Sequence, residues 1–144
     1  MKLTFLLASL LTVLVIFQAK AADRIDSYSI EKLLDSTKAK DALNSNVKLY
    51  FGNQSFGDSQ ETYGEVMTNK KTNAFMKSDQ EACEWVMLSA LKALQARALK
   101  EGMNAVVGIE SYYKKREFVS ETHFECGAGA ILAGVTLKGT LVKL

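Results

Sequence analysis

The chain has 144 residues, 48% apolar and 24% charged, with 18 basic and 16 acidic side chains, one histidine, two cysteines and no proline. That length holds one compact domain with a single core and leaves no room for a second. So even a charge balance excludes the dense basic stripe that general nucleic-acid binding needs to displace counterions.

The first residues, MKLTFLLASLLTVLVIFQAKA, place Lys2 before an apolar run from Leu3 to Phe17 and end on the small-x-small triplet Ala19, Lys20, Ala21. This is the layout of a cleaved secretory signal peptide over residues 1–21. The apolar run is shorter than the ~20 residues that span a bilayer, so no stable membrane insertion is expected after cleavage near Ala21. What remains, 22–144, is read as a single α+β domain in the periplasm or outside the cell. The leader takes Lys2 and Lys20 with it, which leaves that domain with equal numbers of acidic and basic side chains.

Along that domain, SIEKLLDSTKAKDALNS reads as one or two short amphipathic helical turns, VKLYF as a strand, and GNQSFGDSQETYG as a loop of turn residues. GEVMTNKKTNAF returns as a second strand. The segment SDQEACEWVMLSALKALQARALKEG predicts a long helix from about Asp79 to Glu101. Ser78 and Glu81 stand in the capping-box relation and Gly102 waits as the C-terminal stop. Cys83, Val86, Met87, Ala90, Leu94 and Ala98 form its apolar stripe, widened by Trp85, Leu88 and Leu91.

Three strands follow. NAVVGIESYY alternates Ala105, Val107 and Ile109 inward against Val106, Gly108 and Glu110, and KKRE makes a turn or an exposed strand end. FVSETHFEC sets Phe118, Ser120, Thr122, Phe124 and Cys126 on one face and Val119, Glu121, His123 and Glu125 on the other. ILAGVTLKGTLVKL buries Ile131, Ala133, Val135, Leu137 and Leu141. The expected fold is α+β: one long helix on a mostly antiparallel or mixed sheet of about five strands, with a single disulfide.

That disulfide is Cys83 to Cys126. Helical spacing turns Cys83 and strand alternation turns Cys126 into the same layer, and an exported protein meets an oxidising environment. Their Cα atoms are expected about 4.4–6.8 Å apart. The glycines of HFECGAGAILAG do not form a phosphate cradle. Gly127 and Gly129 follow a strand, but Gly134 comes one residue late for the dinucleotide fingerprint, a strand follows instead of a helix, and no Gly-Lys-Ser or Gly-Lys-Thr occurs. They are expected to make a tight turn and to clear space beside the disulfide.

Several pieces, among them YGEVMTNKKTNAF, ALKALQARALKEGMNAVVGIESYYKK and ETHFECGAGAILAGVTLKGTLVKL, resemble small exported proteobacterial proteins that carry the label of the excinuclease ABC ATPase. The resemblance covers essentially all of 22–144. The chain has none of the Walker motifs or zinc-binding cysteines of the repair ATPase behind that label. KEGMNAVVGIESYY is more loosely similar to the corresponding helix-to-strand segment of YbjQ-type and RcsF-type domains, and Cys83 and Cys126 match one RcsF cysteine pair. These likenesses imply fold rather than function.

Two surface constellations are candidates. Glu121, His123 and Glu125 alternate along one strand face and could meet a divalent metal, although zinc favours more nitrogen and sulfur ligands. Lys70, Lys71, Tyr112, Tyr113, Lys114, Lys115 and Arg116 could form a basic, aromatic patch for an anionic envelope component or an envelope protein. No nucleophile stands in a motif with the histidine, and the Glu81 and Glu84 carboxylates are explained by the dipole of the helix they open. The sequence therefore predicts a non-enzymatic, cofactor-free envelope protein that binds a partner or plays a structural part. A periplasmic divalent-metal-binding protein is the alternative.

Overall fold

The computed structural model describes residues 24–144, so the leader and its cleavage point lie outside the described residues. In chain order the elements are β1 (Arg24–Ser29), α1 (Ile30–Leu34), α2 (Thr37–Ala42), β2 (Lys48–Phe51) and β3 (Glu61–Asn73), followed by α3 (Asp79–Lys100). After it come β4 (Ala105–Ser111), a 3₁₀ turn (Tyr113–Lys115), β5 (His123–Ala128) and β6 (Leu132–Lys143). The fold is α+β as expected, with α3 packed on a curled, mixed sheet of six strands. No helix among the described residues is long and apolar enough to cross a membrane.

The sheet is organised by β6. Along one edge β3 pairs with it antiparallel for its whole length, from Asn73 opposite Leu132 to Glu61 opposite Lys143. The other edge is divided. β5 pairs only at Gly127–Gly134 and Ala128–Ala133, while β4 takes the far end, from Ser111 opposite Leu137 to Ala105 opposite Val142. β2 adds to β4 in parallel and β1 adds to β5 antiparallel, so the two arms diverge from a common strand.

β1 is the strand that sequence alternation does not predict. RIDSYS has few apolar residues to set a period, and its side chains are at most half-buried. It is held instead by its ladder to β5 and by a bidentate ion pair from Arg24 to Asp79 at the start of α3, at 2.8–3.0 Å.

α3 forms where its caps place it. The Ser78 hydroxyl accepts from the Glu81 amide at 3.1 Å. At the other end Gly102 (φ 75) lets its own N–H reach Leu99 O at 3.1 Å and the Met103 N–H reach Ala98 O at 2.8 Å, a double closure of the last carbonyls. Cys83, Val86, Met87, Leu88, Ala90, Leu91, Leu94 and Ala98 are buried on the sheet, but Trp85 departs from the expected stripe and stays 45% exposed, with the Lys38 ammonium 5.6 Å from its ring centre. Gln95 is buried and fully used: its Oε1 accepts from the Asn44 amide, and its Nε2 donates to the carbonyls of Asn44 and Val47. Burial would push the Glu84 carboxyl up, but hydrogen bonds from Lys38 and Gln80 outweigh it and hold the carboxyl below its ordinary range, tying α2 to α3.

Three strand expectations need correction. In β4 the odd-inward alternation fails because the ladder shifts between Val107 and Glu110, where Gly108 adopts φ 61. This bulge puts Val106 and Ile109 together under α3 and leaves Ala105 and Val107 to pack with Val142 in a separate small cluster. FVSETHFEC does not extend throughout, since β5 begins only at His123 and Phe118 makes an isolated bridge to Ser111. Ile131 belongs to the β5–β6 turn and is 65% exposed, whereas Ala133, Val135, Leu137 and Leu141 are buried as expected.

Cys83 and Cys126 are joined, with Cα atoms 5.8 Å apart across a sequence separation of 43. On the chain-entropy estimate such a loop stabilises by about 4 kcal/mol. Reduction, or the paired Cys83→Ala and Cys126→Ala substitution, is expected to lower Tm by more than about 10 °C for a domain of this size. Thermal unfolding followed with and without reductant checks this, and an unchanged Tm would mean that the core alone holds α3 on the sheet.

Candidate functional site

Dividing the edge of β6 creates a chemical problem at the fork between β4 and β5, because backbone groups there face no strand. Side chains and the connecting loop supply the missing partners. The Ser111 hydroxyl accepts from the Glu125 amide at 2.9 Å, and the Tyr112 amide donates to Thr136 O at 2.8 Å. The Tyr113 ring then lies over the fork on the face away from α3. Gly127 and Gly134, cross-strand partners, are its floor: a Cβ on Gly127 would overlap the ring, and one on Gly134 would come within 3.1 Å of it. The glycines therefore clear space for Tyr113 rather than for the disulfide, which lies on the opposite face.

The Tyr112–Arg116 loop is fixed at both ends and strained in the middle. Tyr113 is buried at one end, and at the other Arg116 forms an ion pair with Glu125, which is only 4% exposed. Glu125 Oε1 takes that bond, and Oε2 is buried without a hydrogen-bond partner among the described residues. Between these anchors Lys114 (φ 53) and Lys115 (φ 62) both adopt left-handed backbone, at a cost of about 1–2 kcal/mol each for side-chain-bearing residues.

The seven residues of the predicted basic patch do not act alike. Lys71, opposite Gly134, lies beside Tyr113, and Lys114 and Lys115 are exposed on the same loop. Arg116 is neutralised by Glu125. Tyr112 is capped by the Lys138 ammonium, 3.9 Å from its ring centre, and Lys138 also stands 3.8 Å from Glu110 and 3.7 Å from Glu117. Lys70 opposes Val135 and so lies toward the helix side of the sheet. Burial first, and then the neighbouring Glu117, push the Glu110 carboxyl up against the opposing pull of Lys138.

The metal candidates are also separated. Glu125 is buried against Arg116, Glu121 precedes β5, and His123 shares its Nδ1 with the Thr122 hydroxyl at 2.9 Å. No group of three or more His, Cys, Asp or Glu side chains among the described residues could hold a metal ion. Glu121 and His123 instead stand on the rim of a cleft of about 670 Å³ between α1, the end of β2 and the segment entering β5.

This cleft is assembled by local rules. Ser29 caps α1, accepting from the Lys32 amide, and the Ile30 amide donates to Thr122 O at 2.9 Å, which fixes one wall. Ser120 accepts from the amides of Thr122 and His123 and folds the opposite rim. Next to Phe51, Gly52 (φ 56) lets the chain pass close to the 120–123 segment, since any Cβ there would meet Ser120 backbone at 2.9 Å. The floor is Ile30, Leu34, Leu49 and Phe51, and the rim carries Glu31, Asp35, Gln54, Glu121 and His123. An apolar floor under three carboxylates, with no lysine or arginine lining it, suits a ligand with an apolar body and a positive group. The sequence reading misses the cleft because its walls come from three segments far apart in the chain, although the Ser-x-Thr-His run at its rim was available as a turn signal.

Gly127→Ala is expected to cost about 1–3 kcal/mol by driving the Tyr113 ring off the fork, and the same substitution in a Tyr113→Ala background should cost less than half as much. Urea unfolding of the four proteins in this cycle measures the coupling, and additive losses would show that the ring is not what Gly127 makes room for. No family model, curated protein or solved structure matches the chain, so the roles of these residues rest on their geometry.

Proposed function

We propose that this chain is a non-enzymatic exported protein of the cell envelope, periplasmic or secreted, whose work is to bind a partner. The amino-terminal pattern of a signal peptide and the Cys83–Cys126 disulfide support an oxidising destination. The observation that carries the binding reading is the cleft, with its apolar floor of Ile30, Leu34, Leu49 and Phe51 and its acidic rim of Glu31, Asp35 and Glu121. Its partner is an envelope protein segment that presents an apolar side chain next to a lysine or arginine. Such a segment buries hydrocarbon on the floor and sets its charge among the carboxylates. The metal-binding alternative uses the same rim through Glu121 and His123.

Acetylated dipeptide amides Leu-Lys, Leu-Gln and Leu-Glu separate these readings. Backbone NMR is expected to show shifts confined to residues 29–35, 49–54 and 120–123, with Leu-Lys binding tightest and Leu-Glu weakest. Glu31→Lys with Glu121→Lys should reverse the order. Equal binding of all three peptides, or shifts elsewhere, would remove the cleft as the site. Calorimetric titration with zinc, copper and nickel tests the alternative: binding tighter than about micromolar that is lost in His123→Ala would replace the peptide reading by the metal one.

A further inference from the structure

β3 is a sheet edge of unusual length. It runs 13 residues, against about five or six for an ordinary strand, and among the described residues it pairs only with β6. Its ladder is regular from Gly64 to Asn73, so over those residues the opposite edge presents an unbroken row of backbone donors and acceptors. Folded proteins usually shorten, bend or charge such an edge to keep other strands away.

The charges on β3 follow a different plan. Glu61 and Glu65 lie in its first half, Lys70 and Lys71 in its second, and the strand as a whole is neutral. Laid parallel on a second copy, like charges meet. Laid antiparallel about a two-fold axis they become complementary: centred on Val66, the extra residue between Thr62 and Gly64 brings Glu61 of each copy opposite Lys70 of the other, and centred on Thr68, Glu65 faces Lys71. Cross-strand pairs of opposite sign stabilise such a ladder, and like pairs oppose it. Met67, 61% exposed, lies next to the axis in either register and would be covered. A groove of about 410 Å³ follows the same edge between β3 and α3, walled by Val66, Thr68, Ala93 and Leu94, and adds apolar area to the contact.

We propose that β3 is a self-recognition edge, through which two copies of this chain join antiparallel about a two-fold axis into one continuous sheet. The occupant is a second copy because the charge pattern of the edge is complementary to itself. One strand and its flanking groove offer less than the roughly 800 Å² per partner of a standard interface, so association depends on concentration.

Sedimentation velocity up to about 200 µM, on purified protein with its disulfide intact, tests this. The unmodified chain is expected to dimerise. Glu61→Lys with Glu65→Lys makes the edge wholly basic, and Lys70→Glu with Lys71→Glu makes it wholly acidic. Each doubly substituted protein should self-associate about tenfold more weakly or less, and an equimolar mixture of the two should restore the dimer. Circular dichroism establishes that both remain folded, and recovery on mixing does so independently. A monomeric unmodified chain, doubly substituted proteins that dimerise undiminished, or a mixture that stays monomeric would each overturn the proposal.

Discussion

A buried strand must find hydrogen-bond partners on both edges, and β6 meets this requirement with three neighbours rather than two. β3 serves one edge alone. The other is shared by β4 and β5, which part where neither can continue. The curl of the sheet, the position of α3 over it and the two outer strands all follow from that division. So does the gap between β4 and β5 along that edge, and it is there that Ser111, the Tyr112 amide and the Tyr113 ring are set.

The fork explains residues that otherwise look unrelated. Gly127 and Gly134 are bare because a tyrosine ring lies on them, and Glu125 is buried because it follows the fork inward and must be met by Arg116. The left-handed pair Lys114 and Lys115 is the short path left to a chain held at both Tyr113 and Arg116. The disulfide works from the opposite face. By joining α3 to β5 it fixes the arm with the fewest pairs to β6, which is also the arm on which β1 depends.

The cleft and the outer edge of β3 are consequences of the same arrangement. Because β5 is displaced from β4, the segment entering it folds back on Ser120 and meets α1 and the end of β2, which opens the cleft. Because β3 alone occupies the other side of β6, its far edge is long and bears no further strand among the described residues. A sheet built this way carries a cleft at one arm and, across β6, an edge with no strand beyond it among the described residues.

The sequence by itself determined what depends on near neighbours. The ends of α3 were legible in Ser78, Glu81 and Gly102, its buried stripe in three- and four-residue spacing, and the pairing of Cys83 with Cys126 in two periodicities that turn both sulfurs inward. The tertiary structure alone decided what depends on distant segments. β1 carries no apolar period and is a strand only because β5 offers it an edge, and Val106 turns inward only because a bulge at Gly108 lets β4 follow β6. The purpose of Gly127 and Gly134 could not be read locally either, because the ring that requires them arrives from another loop. Periodicity records which side of an element faces the core, while pairing, bulges and close approaches are settled by whichever strand lies alongside.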